Sequence, residues 1–263
     1  MTETGKTPSS WKSASAAERA KRRYPILFEG RQLSLLRKGK GKDAVFLHGY
    51  LSSKECFSLQ INCLSRSCRV TAFDFPGMGK SAPLSEAWGV EEYAAHTARL
   101  LDSLGVRGAR LVAHSFGGRV ALKLLASRPD LFSRALLVGC AGIPPKRGIR
   151  YRAKVAAYRA VRRAAPRFAE RHFGSAEYRT LSPLMRESYK KIVNEDLTPC
   201  LSRIRVPVLY VFGEKDTATP PYMARALARG TEGSGLVFLE NCSHFCFVEQ
   251  PEKFNAVMLE FFR

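Results

Sequence analysis

Acidic side chains are scarce in this chain of 263 residues: 23 Asp and Glu stand against 43 Lys and Arg, a formal charge of +20. That balance disfavours cationic partners and favours anionic ones. Long apolar runs are missing too. The longest, such as Arg134–Gly142, fall far short of the roughly 20 residues that cross a bilayer, so no transmembrane segment is expected. The basic start of the chain, with Lys6, Lys12, Arg19, Lys21, Arg22 and Arg23 against Glu3 and Glu18, is followed by no apolar run of signal-peptide length. Residues 1–24 therefore read as a basic, disordered arm.

Cysteine is odd in number and dispersed: Cys56, Cys63, Cys68, Cys140, Cys200, Cys242 and Cys246. A chain this long does not depend on disulfide staples, and a reducing cytoplasm is the expected compartment. Cys242 and Cys246 bracket His244, but no second ligand pair lies at zinc-like spacing, so neither metal nor other cofactor is expected. Internal repeats, low-complexity tracts, zinc fingers and aromatic-basic RNA motifs are all lacking, which leaves no specific nucleic-acid partner.

What is present is an ordinary globular composition, 45% hydrophobic and 10% aromatic, long enough for one α/β domain with an insertion. Short apolar runs at Ala44–Leu47, Val70–Phe73, Arg110–Ala113, Ala135–Val138, Val208–Phe212 and Leu236–Leu239 read as buried strands. Helical patterns lie between and after them at Val90–Leu104, Phe116–Ser127, Pro221–Arg229 and Pro251–Phe262. This alternation predicts a mostly parallel sheet with helices on both faces. Ile26–Glu29 and Gln32–Leu36, joined at Gly30-Arg31, predict an opening hairpin.

The alternation lapses from about 143 to 202, where Pro144, Pro145, Pro166 and Pro183 punctuate helical segments. The expected organisation is a core of 25–142 and 203–263 with a helical cap at 143–202. Much of the basic excess sits there: Lys146–Lys191 holds fourteen Lys or Arg against Glu170, Glu177 and Glu187. At helical spacing, Tyr151, Val155 and Tyr158 form one stripe and Arg152, Arg159 and Arg163 an adjacent one.

Ala113-His114-Ser115-Phe116-Gly117-Gly118 leaves a strand and opens a helix. Small residues beside a serine at so sharp a turn suit a nucleophile elbow. An N-capping serine at an ordinary turn has the same local pattern, and these six residues alone do not separate the two. Around them the chain resembles the α/β-hydrolase superfamily, in its branch with a helical cap, over roughly Leu33 to Phe262. His48-Gly49-Tyr50 resembles the oxyanion loop, Asp74 to Ser81 the structural turn, Gly213-Glu214-Lys215-Asp216 the acid loop and Ser243-His244-Phe245 the histidine loop. The chain departs from the pattern at Ala113, where glycine is commoner.

The resemblance implies Ser115 as nucleophile, His244 as general base and Asp216 as the carboxylate that orients the imidazole, in the chain order of the family. It implies backbone amides of Phe116 and of Tyr50, or its neighbour Leu51, as oxyanion donors. His48, Gly49 and Gly117 are then structural supports, His114 packs beside the strand, and Asp74 ties down the turn. A serine in the nucleophile position favours esters or thioesters, with carboxylesterase the commonest activity. Carbon–carbon hydrolases and acyltransferases use the same triad, and a basic scaffold that only binds an anionic partner is the third reading. Methyl esterases acting on pimeloyl-acyl carrier protein resemble this pairing of triad and basic cap. That likeness implies an acyl-carrier-linked substrate, with Arg152, Arg159 and Arg163 docking an acidic protein.

Overall fold

Glu29 and Gly30 both take left-handed backbone, φ 49° and 73°, and close a two-residue turn between β1 (Arg23–Phe28) and β2 (Arg31–Lys38). The turn thus lies one residue earlier than Gly30-Arg31. Arg31 already pairs with Phe28, and a two-residue hairpin whose twist matches the strands needs positive φ at both central positions. The structure, a computed structural model, describes residues 23–145, 163, 178 and 181–263. The side chains of 23 and 24 are outside that description.

Six further strands follow: β3 (Lys42–Leu47), β4 (Cys68–Phe73), β5 (Ala109–His114), β6 (Phe132–Val138), β7 (Val208–Gly213) and β8 (Gly235–Leu239). They form one sheet in the order β1-β2-β4-β3-β5-β6-β7-β8. The β1–β2 and β2–β4 pairs are antiparallel, and every other pair is parallel. The six apolar runs of the sequence are these parallel strands; the central ones are buried on both faces, whereas β8, expected to be buried, is the sheet edge and only Leu239 of it is buried.

Helices Val90–Ser103, Phe116–Ser127 and Pro221–Gly230 cover one face, where Val45, Leu111, Leu137 and Tyr210 point. Helices Ser58–Leu64 and Pro251–Phe261 cover the other, over Phe46, Val70, Val112 and Leu136. In Val90–Ser103 the buried positions Val90, Tyr93, Ala94, Thr97, Ala98 and Leu101 mark one stripe of a 3.6-residue period. Between β6 and β7 the described residues include helices Pro183–Asn194 and Thr198–Leu201.

The turn after β4 is built on Asp74, which is fully buried. Its carboxylate accepts from the Lys54 amide at 2.8 Å, the Lys80 amide at 2.9 Å and the Lys54 ammonium at 3.0 Å. Burial alone would raise the Asp74 titration, but these donors outweigh it and hold the group below its ordinary value. Lys54, itself buried, also donates to Ser34 Oγ at 2.6 Å. Removing one partner of a buried pair strands the other charge. Lys54→Met is therefore expected to destabilise the fold by about 3 kcal/mol, read as a lower urea midpoint at unchanged m-value. Among the described residues no helix is long and apolar enough to cross a membrane.

Candidate active site

Ser115 sits between the end of β5 and the first residue of helix Phe116–Ser127, with φ 52° and ψ −108°. A positive φ in a residue with a Cβ is strained by about 1–3 kcal/mol and persists only where surrounding contacts enforce it. Here the enforcing contacts are backbone bonds from Ser115 N–H to Val138 O and from the Ala141 and Arg119 amides to Ser115 O. Gly117 allows the helix to start this close to the sheet, because a Cβ there would lie 2.2 Å from Leu47 O and 2.7 Å from His48 O. The Ser115 hydroxyl makes no cap bond to its helix. The turn is thus not an ordinary N-capped one, and the hydroxyl has another partner.

That partner is His244, whose Nε2 lies 2.9 Å from Ser115 Oγ, while its Nδ1 lies 2.8 Å from Asp216 Oδ2. The three groups come from three separate strand ends: β5, the loop after β7 and the loop after β8. A parallel sheet brings such carboxyl-terminal ends to one edge, where clefts form. Asp216 is 2% exposed, and its Oδ1 accepts from the amides of Ala218 and Thr219, both at 2.8 Å. The Thr219 hydroxyl lies 2.7 Å from Asp216 Oδ2 and 3.2 Å from Gly139 O. Burial pushes the Asp216 carboxyl up, but bonds from His244 and Thr219 more than compensate and hold it below its usual value. An ionised acceptor facing Nδ1 fixes the proton there and leaves the Nε2 lone pair for the serine.

Thr219 is a member of the site that the sequence reading passed over. Its signal is local: an aspartate followed by amides two and three residues on is an Asx turn, and Asp216-Thr217-Ala218-Thr219 fits that pattern.

His48 is fully buried, and its Nε2 accepts from the Phe75 amide at 3.0 Å. Nδ1 therefore carries the proton and donates to Gly49 O at 2.7 Å. Burial lowers the His48 titration to about 4, so it serves as a neutral brace between the 49–53 loop and the Asp74 turn. Gly49 packs over Ser115, since a Cβ on it would lie 3.6 Å from Ser115 Cβ and 2.9 Å from His114 Nδ1. Tyr50 follows, its ring 5.6 Å from Phe116 and 5.5 Å from Tyr189, its hydroxyl donating to Met185 O at 3.2 Å. The described helix Pro183–Asn194 is thereby tied to the loop that begins at Gly49.

The same helix is tied elsewhere. Trp88 N–H donates to Ser188 Oγ at 2.9 Å, and Lys191 Nζ to Ala87 O at 2.8 Å. Beyond its end, Arg119 Nη1 donates to Glu195 O at 3.0 Å, and Lys123 Nζ lies 2.7 Å from Glu195 Oε1. Asp196 accepts from the Thr198 amide and hydroxyl and so starts the short helix Thr198–Leu201. Of the three arginines expected to dock a partner, Arg163 is described and exposed, whereas Arg152 and Arg159 lie outside the described residues. All seven cysteines are free, with Cys242 and Cys246 buried on either side of His244. A cavity of about 300 Å³ opens elsewhere, between β2 and helix Ser58–Leu64, lined by residues such as Leu36, Lys54 and Asn62 and by none of the three hydrogen-bonded groups.

A model of the alpha/beta hydrolase family matches residues 44–257, which is most of the chain. The chain belongs to the alpha/beta hydrolase family. Among curated relatives of this hydrolase, the pimeloyl-[acyl-carrier protein] methyl ester esterase of Neisseria meningitidis (FAM18) is 30% identical, over 84% of this chain and 93% of its own. The AB hydrolase superfamily protein YisY of Bacillus subtilis is 27% identical, over 85% and 92%. Among solved structures, a hydrolase from Pseudomonas aeruginosa PA01 superposes with a TM-score of 0.71 at 23% identity, covering 90% of this chain and 97% of its own. At that identity the superposition speaks for the fold, which is the α/β-hydrolase fold expected from the sequence.

Proposed function

We propose that this hydrolase cleaves carboxylic esters or thioesters through an acyl-enzyme on Ser115. The observation that carries the reading is the line of hydrogen bonds from Ser115 Oγ through both nitrogens of His244 to a buried carboxylate, at 2.9 and 2.8 Å. Ser115 Oγ attacks the carbonyl carbon while its proton passes to His244 Nε2, and Asp216 stabilises the imidazolium. The carbonyl oxygen becomes an oxyanion, which the backbone amides of Phe116 and Tyr50 meet. Phe116 opens its helix, so its amide adds the positive end of the helix dipole. The imidazolium then protonates the leaving alkoxide or thiolate, and water repeats the cycle in reverse to free the acid. No cofactor is required.

Residues 143–202 form the cap of this reading, over a core of 25–142 and 203–263. Its basic charge suits an acidic carrier protein bearing the acyl chain, with Arg152, Arg159 and Arg163 at the docking face. The Neisseria relative supports this choice of substrate class through its name and 30% identity. Seven free thiols suit a reducing compartment such as the cytoplasm.

The test compares p-nitrophenyl esters from acetate to decanoate with a methyl ester of an acyl chain carried on acyl carrier protein, each at low and high salt. The expected result is turnover of both, with kcat/KM falling steeply with salt for the carrier-linked substrate and little for the free esters. Equal salt dependence would remove the carrier-docking claim. Absence of turnover on both, from folded protein, would contradict the esterase reading.

A further inference from the structure

His114, the last residue of β5, stands directly before the nucleophile and is 2% exposed. Its side chain packs against the other imidazole of the site. The rings of His114 and His244 are 4.7 Å apart, and Phe245 and Phe247 lie 5.0 and 4.9 Å from His114. His114 Nε2 is 3.1 Å from the backbone oxygen of His244. A carbonyl oxygen only accepts, so Nε2 carries the proton and Nδ1 is bare. Nδ1 is indeed buried without a hydrogen-bond partner, facing Gly49.

An unpaired buried acceptor is a cost that an apolar ring of similar volume avoids. His114 leaves one nitrogen without a partner, which directs attention to what the other nitrogen does. His244 lies on an irregular stretch between β8 and helix Cys246–Glu249. The hydrogen bonds from backbone amides that shape this stretch involve its neighbours: Lys215 N–H to Cys242 O, Ser243 N–H to the Glu249 carboxylate, and Val248 and Glu249 N–H to Phe245 O. The bond from His114 is made to the peptide of His244 itself. It couples that peptide to the strand that ends at His114, directly before Ser115, so the base and the nucleophile are referenced to one element.

We infer that His114 is a positioning residue: a neutral N–H donor that fixes the His244 carbonyl and, by ring contact, keeps His244 Nε2 in line with Ser115 Oγ. The inference rests on the role proposed above for His244. Burial and the neighbouring His244 lower the His114 titration to about 3, so the donor is uncharged throughout the neutral range and adds no repulsion to the imidazolium formed during attack.

The test uses His114→Phe, which keeps an aromatic ring and loses the donor, and His114→Gln, whose Nε2 is the same number of bonds from Cα as that of histidine. On a p-nitrophenyl ester, His114→Phe is expected to lower kcat by about 10- to 100-fold, the scale of one buried hydrogen bond left unmade, with KM changed less than about twofold. His114→Gln should recover most of that loss. The second-order rate of fluorophosphonate labelling, normalised to the folded fraction at a temperature below each melting point, should follow the same order. A residue that only fills space gives the opposite ranking, with Phe nearer wild type than Gln; that ranking, or wild-type rates in both variants, overturns the inference.

The unsubstituted protein gives a check that does not depend on either variant folding. In histidine-selective ¹⁵N spectra, His114 should stay neutral with its proton on Nε2 across pH 5–9, while a proton on Nδ1 would contradict the assigned bond. Ser115→Ala is run alongside. If it retains turnover, the proposed function fails; if it is inactive while His114→Phe is unaffected, only the positioning role fails.

Discussion

Ser115→Ala is expected to lower kcat by about 10⁶-fold with little change in KM, because removing the nucleophile of a triad abolishes nearly all the cooperative contribution of its members. On the proposed mechanism, what survives is the stabilisation of a water-derived oxyanion by the Phe116 and Tyr50 amides, worth roughly 10³–10⁴ over the uncatalysed rate. Stability should change little. The strained φ of 52° at Ser115 is enforced by backbone bonds to Val138, Ala141 and Arg119, none of which uses the hydroxyl. Alanine retains a Cβ and inherits that conformation. A melting temperature near wild type together with the lost rate would therefore place the effect in chemistry and not in folding.

Asp216→Asn is expected to lower kcat by about 10⁴-fold, the size of effect produced when a triad histidine is forced into its other tautomer. In the native site Oδ1 accepts two backbone amides and Oδ2 faces His244 Nδ1 and Thr219 Oγ1. An asparagine satisfies the two amides with its carbonyl oxygen and so turns its NH₂ toward His244. Nδ1 must then accept, the proton moves to Nε2, and Ser115 meets a donor where it needs a base. The same carboxylate has a consequence for stability. Its folded-state titration lies below its unfolded value, so its contribution is complete above about pH 4, the unfolded value, and is lost as pH falls through the folded one. Wild type should therefore lose stability on acidification through this group, and Asp216→Asn should lack that component in urea titrations at pH 7 and pH 3.

The fold was legible because its signal is redundant. Each parallel strand is a continuous apolar run, as in Val208–Gly213, and the elements that carry Ser115, Asp216 and His244 occur in an order that leaves few arrangements. The place of His48-Gly49-Tyr50 directly after β3 was legible for the same reason. Less was readable where a residue's importance comes from what it touches across the chain. Lys54 and Gln60 are buried polar residues in a segment that forms helix, and they blur the apolar period that announces one. Lys54 belongs there only because Asp74 waits 20 positions away, and Gln60 because Phe247 O accepts its amide.

Thr219 and His114 illustrate two further limits. Thr219 acts through a hydroxyl and an amide on Asp216, a local pattern that any Asx turn shares, so its functional meaning appears only once His244 is opposite. From the sequence, His114 packs beside its strand, and its burial agrees. Its contact with the His244 carbonyl spans 130 positions and follows from how β8 returns next to β7, information held by the sheet order and not by the motif. The hairpin turn shows the limit at the scale of one residue. Gly30 marks the turn, but whether Glu29 or Arg31 shares it is decided by strand register, here Phe28 opposite Arg31.

The proposed chemistry requires Ser115 to be the activated nucleophile. The decisive measurement is fluorophosphonate labelling followed by peptide mass mapping, on wild type, Ser115→Ala and His244→Ala. One adduct on the peptide containing Ser115, absent from Ser115→Ala and strongly slowed in His244→Ala, is the predicted result. Labelling that persists in Ser115→Ala, or that maps to another residue in wild type, would contradict it.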